Sequence, residues 1–170
     1  MNIFLIGPMA TGKSCIGNVL AQRLRLPFYD TDDLICLHAA MDIPTIFEKE
    51  GESGFRKREA TVLRELADHR DMVVATGGGA VMDEQNCKYI KENGTVVYLN
   101  TPLGERYKRI QPLSGRPLLM DGNAHEVMQE LDNIRVPIYQ ALADFVVDNS
   151  GDVDATTRRI IEYINEMKRL

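Results

Sequence analysis

Residues 7–15 read GPMATGKSC and follow the apolar run NIFLI at 2–6. Gly7, then Gly12, Lys13 and Ser14 fit the spacing G-x-x-x-x-G-K-[ST], which cradles phosphates when a strand precedes it and a helix follows. Glycine lets successive backbone N–H groups turn toward phosphate oxygens. A helix starting near Lys13 adds unpaired N–H groups and a favourable dipole. Lys13 brings a cation to the β- and γ-phosphates of a nucleoside triphosphate, and the Ser14 hydroxyl suits Mg²⁺. The expected nucleotide contacts are therefore Gly7, Ala10, Thr11, Gly12, Lys13, Ser14 and Cys15. The alternative is a plain glycine turn, which the flanking strand and helix disfavour.

Such a loop names the nucleotide and not the reaction. Many of these proteins carry a magnesium carboxylate at the end of an apolar strand, but MVVATGGG (72–79) ends without one. The carboxylates lie instead in PFYDTDD (27–33). Asp30 and Asp32 are two residues apart, so an extended strand puts both on one face at its C-terminal end, where ligands of open α/β sheets bind. One of the two is the candidate for Mg²⁺ and the other for orienting and deprotonating an acceptor hydroxyl. The rival reading is a helix cap at Asp32 or Asp33.

Three further stretches could form an acceptor pocket: FEKEGESGFRKRE (47–59), TGGGAV (76–81) and RVPIY (135–139). A guanidinium fork matches the two oxygens of a planar carboxylate, which makes Arg56 and Arg135 candidates for an anionic acceptor. Arg56 and Glu59 are i and i+3 on a helix and can touch. Read alone, that pair is equally a surface salt bridge. Gly77, Gly78 and Gly79 follow a buried strand at the ligand edge and permit close backbone approach. Residues 110–125, IQPLSGRPLLMDGNAH, have no clear period and suit a lid, with Gly115 and Gly122 as hinges and Arg116 delivered on closure.

The elements that must position these groups alternate. Apolar runs predict strands over 2–6, 27–33, 71–79, 95–99 and 144–148. Helical spacing covers 13–25, 43–49, 54–69, 83–93, 102–109, 125–142 and 153–169. That pattern gives an α/β domain: a central parallel sheet of five strands with helices on both faces. The 170 residues suit one domain, with no repeat and no linker.

A net charge of −5 argues against nucleic acid, which needs a basic face. Cys15, Cys36 and Cys87 make no CxxC pair, so neither a zinc site nor a redox motif is expected, and scattered thiols fit a reducing cytoplasm. His38, His69 and His125 form no cluster. No apolar run reaches the ~18–20 residues of a membrane span, and no secretory leader is expected. Monomer is the default in the absence of a long apolar stripe.

Taken in order, GPMATGKS, the DTD pair, GESGFRKRE, the triple glycine, GRPLL and RVPIY resemble the shikimate kinases, over about residues 2–148. The resemblance implies a P-loop fold of the nucleoside-monophosphate-kinase type, ATP with Mg²⁺, and shikimate as acceptor. It implies that Asp32 binds the ring hydroxyls and is the base candidate, and that Arg56 and Arg135 grip the carboxylate. It assigns Gly78 to the ring, with Gly77 and Gly79 beside it, and Glu59 to orienting Arg56. Ser14 and Asp30 serve the metal, Arg116 reaches from the lid to the transferring phosphate, and Arg109 lies against adenine. Cys15 departs from the threonine common at its position, and DNSGDVD (148–154) lacks an arginine or proline to cover the base. The rival functions are a kinase for another small hydroxy acid, such as gluconate, and a catalytically silent nucleotide-binding module.

Overall fold

Strand β1 (Asn2–Ile6) is buried along its whole length, and its alternating side chains feed two separate cores. A computed structural model describes residues 1–110 and 123–169. After β1 come α1 (Lys13–Leu24), β2 (Phe28–Asp30), α2 (Thr31–Ala39), α3 (Ile43–Ala67) and β3 (Val73–Ala75). A 3₁₀ turn at Ala80–Met82 leads to α4 (Glu84–Asn93), β4 (Gly94–Asn100), α5 (Leu103–Arg109), α6 (Ala124–Leu142), β5 (Phe145–Asp148) and α7 (Val153–Met167). The five strands form one parallel sheet in the order β2-β3-β1-β4-β5. In β1, Phe4 and Ile6 pack with Val74, Val96 and Tyr98 against α2, α3, α4 and α6. Ile3 and Leu5 pack with Val73, Val97 and Leu99 against Ile16 and Leu20 of α1 and Ile160 and Ile164 of α7. Burial on both faces explains why the strands read as continuous apolar runs. Each such side chain contributes about 1.5–3 kcal/mol.

The expected α/β sheet is present, with three local corrections. The strand expected over 27–33 is only Phe28–Asp30, and an unforeseen helix, α2, starts at Thr31. The cause is Asp30, whose carboxylate accepts the Asp32 N–H at 2.9 Å and caps the helix. The strand expected over 71–79 is only Val73–Ala75, so the glycines lie past the sheet edge. The two helices expected over 43–49 and 54–69 run together as α3, with non-helical backbone at Gly51 (φ 69°, ψ −179°). The lid expected over 110–125 falls mostly on residues 111–122, which lie outside the described residues, as does Arg116.

Candidate active site

The chain leaves β1 through Gly7, at φ 143°, where an added Cβ would stand 2.7 Å from the Leu99 carbonyl oxygen of the neighbouring strand. Ala10 (φ 61°) and Gly12 (φ 88°) complete the turn into α1. That helix has no side-chain cap bond and no acidic residue in its first turn. Its N-terminal N–H groups therefore remain available to an anion. The Lys13 ammonium reaches back over the loop and donates to the Gly7 and Pro8 carbonyls, each at 2.7 Å. From the far side of the sheet, buried Asn149 donates through Nδ2 to the Thr11 carbonyl and fixes the loop's second half.

Ser14 Oγ donates to Asp30 Oδ2, so the cap of α2 also faces the loop. Asp30 and Asp32 do reach one place, but not as neighbours on a strand face. Asp30 is the cap and Asp32 sits in the first helical turn. Asp32 Oδ1 is buried without a hydrogen-bond partner among the described residues. Burial pushes the Asp32 carboxyl up to about 6, helped by the nearby Asp30 and Glu59 carboxylates and opposed by Lys13. Lys13, Ser14, Asp30, Asp32, Gly77 and Gly78 line a cavity of about 350 Å³.

The glycine run lines this cavity and leads on to Arg56, which lines a second. The Gly77 N–H donates to Thr31 Oγ1 at 3.0 Å, and the Gly78 carbonyl accepts from the Tyr139 hydroxyl at 2.5 Å. A Cβ on Gly77 would lie 2.6 Å from Glu59 Oε2 and 3.2 Å from Asp32 Oδ1. A Cβ on Gly79 would lie 2.3 Å from Arg56 Nη2. Glycine is thus required here by close approach of charged groups. Arg56 Nη1 donates to Glu59 Oε1 at 2.8 Å and Nη2 to Glu52 Oε1 at 3.3 Å. Glu59 is fully buried, and burial raises its carboxyl while Arg56 pulls it down. Arg56 and Arg135 line a second cavity of about 560 Å³ with Glu52, Ser53, Asp83 and Leu131. Arg135 is only 6% exposed, yet among the described residues it has no hydrogen-bond or ion-pair partner. The buried Glu59 carboxylate feels its charge, but a buried guanidinium with no direct partner is costly and invites an anion.

At the nucleotide edge, Arg109 donates to the Ala10 carbonyl at 3.2 Å and the Asn149 carbonyl at 3.5 Å. Cys15 is exposed beside the loop. The sequence reading assigned no part to Asn149, Thr31 or the Tyr139 hydroxyl. Asn149 and Thr31 each directly follow a strand at the sheet's ligand edge, and that position is the signal by which they could have been found.

A parallel sheet in this order, with a phosphate loop between β1 and α1 and carboxylates at the end of β2, defines a P-loop nucleotide-binding fold. The family model described as "Shikimate kinase" matches residues 9–165. A shikimate kinase from Thioalkalivibrio sulfidiphilus is 44% identical over 169 residues, covering 99% of this chain and 87% of the relative. A solved structure of a shikimate kinase from Acinetobacter baumannii, in complex with shikimate, superposes with a TM-score of 0.95 at 40% identity, covering 98% of this chain and 94% of that one. The protein belongs to the shikimate kinase family. A gluconokinase from Sinorhizobium meliloti, at 14% identity and a TM-score of 0.58 over 98% of this chain and 96% of its own, shares the fold alone.

Proposed function

We propose that the protein transfers the γ-phosphoryl group of ATP to the 3-hydroxyl of shikimate, giving shikimate 3-phosphate and ADP. The observation that carries this reading is buried Arg135, with no hydrogen-bond or ion-pair partner among the described residues, beside the Arg56–Glu59 pair, with the glycine run leading from there to Asp32 and the phosphate loop. Two guanidinium groups receive the acceptor's carboxylate. Asp32, whose Oδ1 has no hydrogen-bond partner among the described residues, accepts from a ring hydroxyl on the loop side, and Glu59 orients Arg56. The acceptor oxygen attacks the γ-phosphorus as the bond to the β,γ-bridging oxygen breaks. Its proton passes to Asp32, and ADP leaves with the electron pair of the broken bond. Lys13 and the α1 N–H groups hold the phosphates in line. Arg116, outside the described residues, is assigned the transferring phosphate on the family resemblance. Gluconate, a non-planar acid, is the second choice of acceptor, and no feature of the site favours it.

Ser14 and Asp30 fit Mg²⁺. They bring a hydroxyl and a carboxylate, both hard oxygen donors, together at the loop mouth. Among the described residues no three His, Cys, Asp or Glu side chains are grouped to hold a metal. That suits an ion shared between one or two side chains and the nucleotide. When bound, the ion supplies charge neutralisation to the phosphates.

We take the working form to be a monomer in a reducing cytoplasm. Three free cysteines support the compartment. Among the described residues no helix is long and apolar enough to cross a membrane, and of the exposed apolar side chains Met82 and Ile134 line the second cavity while Leu37 lies apart on α2. Light scattering checks the oligomeric state. The deciding experiment measures ADP release with Mg-ATP and shikimate, gluconate, a nucleoside monophosphate or no acceptor. Turnover with shikimate alone is expected. Preference for gluconate or a nucleotide would sink the acceptor assignment, and nucleotide binding without any turnover would favour the silent module.

A further inference from the structure

The largest fully buried side chain among the described residues belongs to a cation outside the chemistry above. Arg106, in α5, is 2% exposed. Its Nε donates to the Thr101 carbonyl at 2.9 Å, just past the end of β4, and its Nη2 pairs with Asp132 Oδ2 of α6. Thr101 is itself tied by its hydroxyl to the Asn149 carbonyl at 3.3 Å. One planar guanidinium thus joins the sheet edge to α6. Buried ion pairs are poor stabilisers, since apolar residues of similar volume often do as well. What a bidirectional fork supplies instead is fixed geometry.

Helix α6 needs such fixing at one particular place. Pro137 lies inside it and removes the N–H that would bond the carbonyl of Asn133. The helix is therefore weakest around 133–137, and Arg135 sits inside that stretch. Beyond the proline, the Tyr139 hydroxyl holds the Gly78 carbonyl and its ring packs on Tyr98, with centroids 5.2 Å apart. Before the proline, the Arg106–Asp132 pair holds the helix to β4. Asp132, Arg135 and Tyr139 are spaced i, i+3 and i+7, so they share one helix face. Arg135 lies between the two attachments, and it makes no bond of its own among the described residues.

We infer that the Arg106–Asp132 pair is a positioning device for the acceptor side of the site. It fixes the first half of α6 so that Arg135 is held at the acceptor cavity despite the proline. Neither member touches the acceptor, so each acts through Arg135. The inference rests on the acceptor assignment proposed above.

The test uses the full chain with Asp132→Asn, Arg106→Met and Arg106→Lys. Wild-type turnover with shikimate reads the acceptor assignment independently of the variants. Asp132→Asn and Arg106→Met are expected to raise KM for shikimate about tenfold, as for loss of one well-placed charged hydrogen bond, with KM for ATP within about twofold of wild type. Arg106→Lys, which keeps the charge and one contact, should recover part of the loss. Amide hydrogen exchange without any ligand reads the geometry itself. Residues 132–138 should exchange faster in the variants while α7 keeps its wild-type rate. A fall in Tm with both KM values and the α6 exchange pattern unchanged would show a purely structural pair and overturn the inference. So would an equal rise in both KM values. Should Arg106→Met fail to fold, Asp132→Asn, which keeps the shape but removes the charge that pairs with Arg106, decides the question alone.

Discussion

Arg56 donates to one oxygen of Glu59 at 2.8 Å, while the other Glu59 oxygen is buried without a hydrogen-bond partner beside Gly77. The pair is therefore only half satisfied within the protein. Glu59 holds Arg56, which lines the second cavity, and keeps its other oxygen buried against Gly77. A helix-surface salt bridge of the same spacing would leave neither group buried.

Removing Arg56 therefore has two effects. Arg56→Ala strips one charged contact from the acceptor, worth about 1.5–3 kcal/mol, so KM for shikimate should rise roughly 10- to 100-fold. It also leaves buried Glu59 without its partner, a loss of about 3–5 kcal/mol in folding stability for a broken buried pair. Lys13→Ala should instead collapse kcat with little change in stability. Steady-state kinetics and urea unfolding separate the two, and equal small losses from both changes would count against the assignment.

Gly79 offers a gentler probe of the same arginine. Its backbone, at φ −89°, is one any residue adopts, but a Cβ there would meet Arg56 Nη2 at 2.3 Å. The guanidinium is the end of a flexible side chain and can pivot about its bond to Glu59 without breaking it, so the cost to the fold is small beside that of losing Arg56. Gly79→Ala is expected to raise KM for shikimate about tenfold, the effect of one displaced charged hydrogen bond, while KM for ATP stays near wild type. Thermal unfolding should show a Tm within a few degrees of wild type. A large drop in Tm would mean that the glycine serves the fold and not the site.

How far the sequence carried this reading depends on the residue. The phosphate loop was legible because its backbone chemistry is local, fixed by glycine spacing and the start of α1. Strand runs in β1 and β4 were legible because burial on both faces leaves no alternation to misread. The DTD stretch was misread because Asp30 satisfies the first turn of α2 from the last position of a strand, and alternation cannot distinguish a cap from a strand end. Arg106 was invisible for a different reason. LGERYKR has the composition of a solvated helix face, and only the placement of α6 across the sheet edge buries its arginine. A contact between distant segments, such as that of Asn149 with Thr11, shows locally only as a polar residue directly after a strand, with nothing to mark its partner.

Asp32 makes a pH prediction whose sign follows from burial. Its carboxyl is pushed up to about 6, above the ~3.9 of an unfolded aspartate. The folded state therefore takes up a proton more readily between about pH 4 and 6. This group's stabilising contribution is full below pH 4 and is lost as the pH rises through about 6, leaving a burden on the order of 3 kcal/mol at neutral pH. Asp32→Asn should remove it: the variant gains stability over wild type at pH 7 and loses that advantage by pH 4, while turnover is abolished. Unfolding measured for both proteins across this range isolates Asp32 from carboxylates such as Asp42 and Asp148, whose titrations are shifted downward by their own hydrogen bonds. In the same range, wild-type kcat/KM should fall as the pH drops through about 6, because only the ionised carboxylate can accept the acceptor's proton.

Asp30 separates a folding role from a metal role within one side chain. It caps α2 through Oδ1 and receives the Ser14 hydroxyl on Oδ2. Asparagine caps helices about as well as aspartate, so Asp30→Asn should keep folding stability within about 1 kcal/mol. It removes the negative charge a divalent cation requires, so the Mg²⁺ concentration for half-maximal rate should rise at least about tenfold, and Mn²⁺, bound more tightly by oxygen and nitrogen donors, should recover part of the rate. Ser14→Ala should raise the Mg²⁺ requirement less, since it removes a neutral donor and leaves the carboxylate. Chelation with EDTA should abolish wild-type turnover and restore it on adding Mg²⁺. If Asp30→Asn instead unfolds the protein at unchanged Mg²⁺ dependence, Asp30 is a cap alone, and the metal carboxylate must be sought elsewhere at the sheet edge, with Asp32 the nearest group to try.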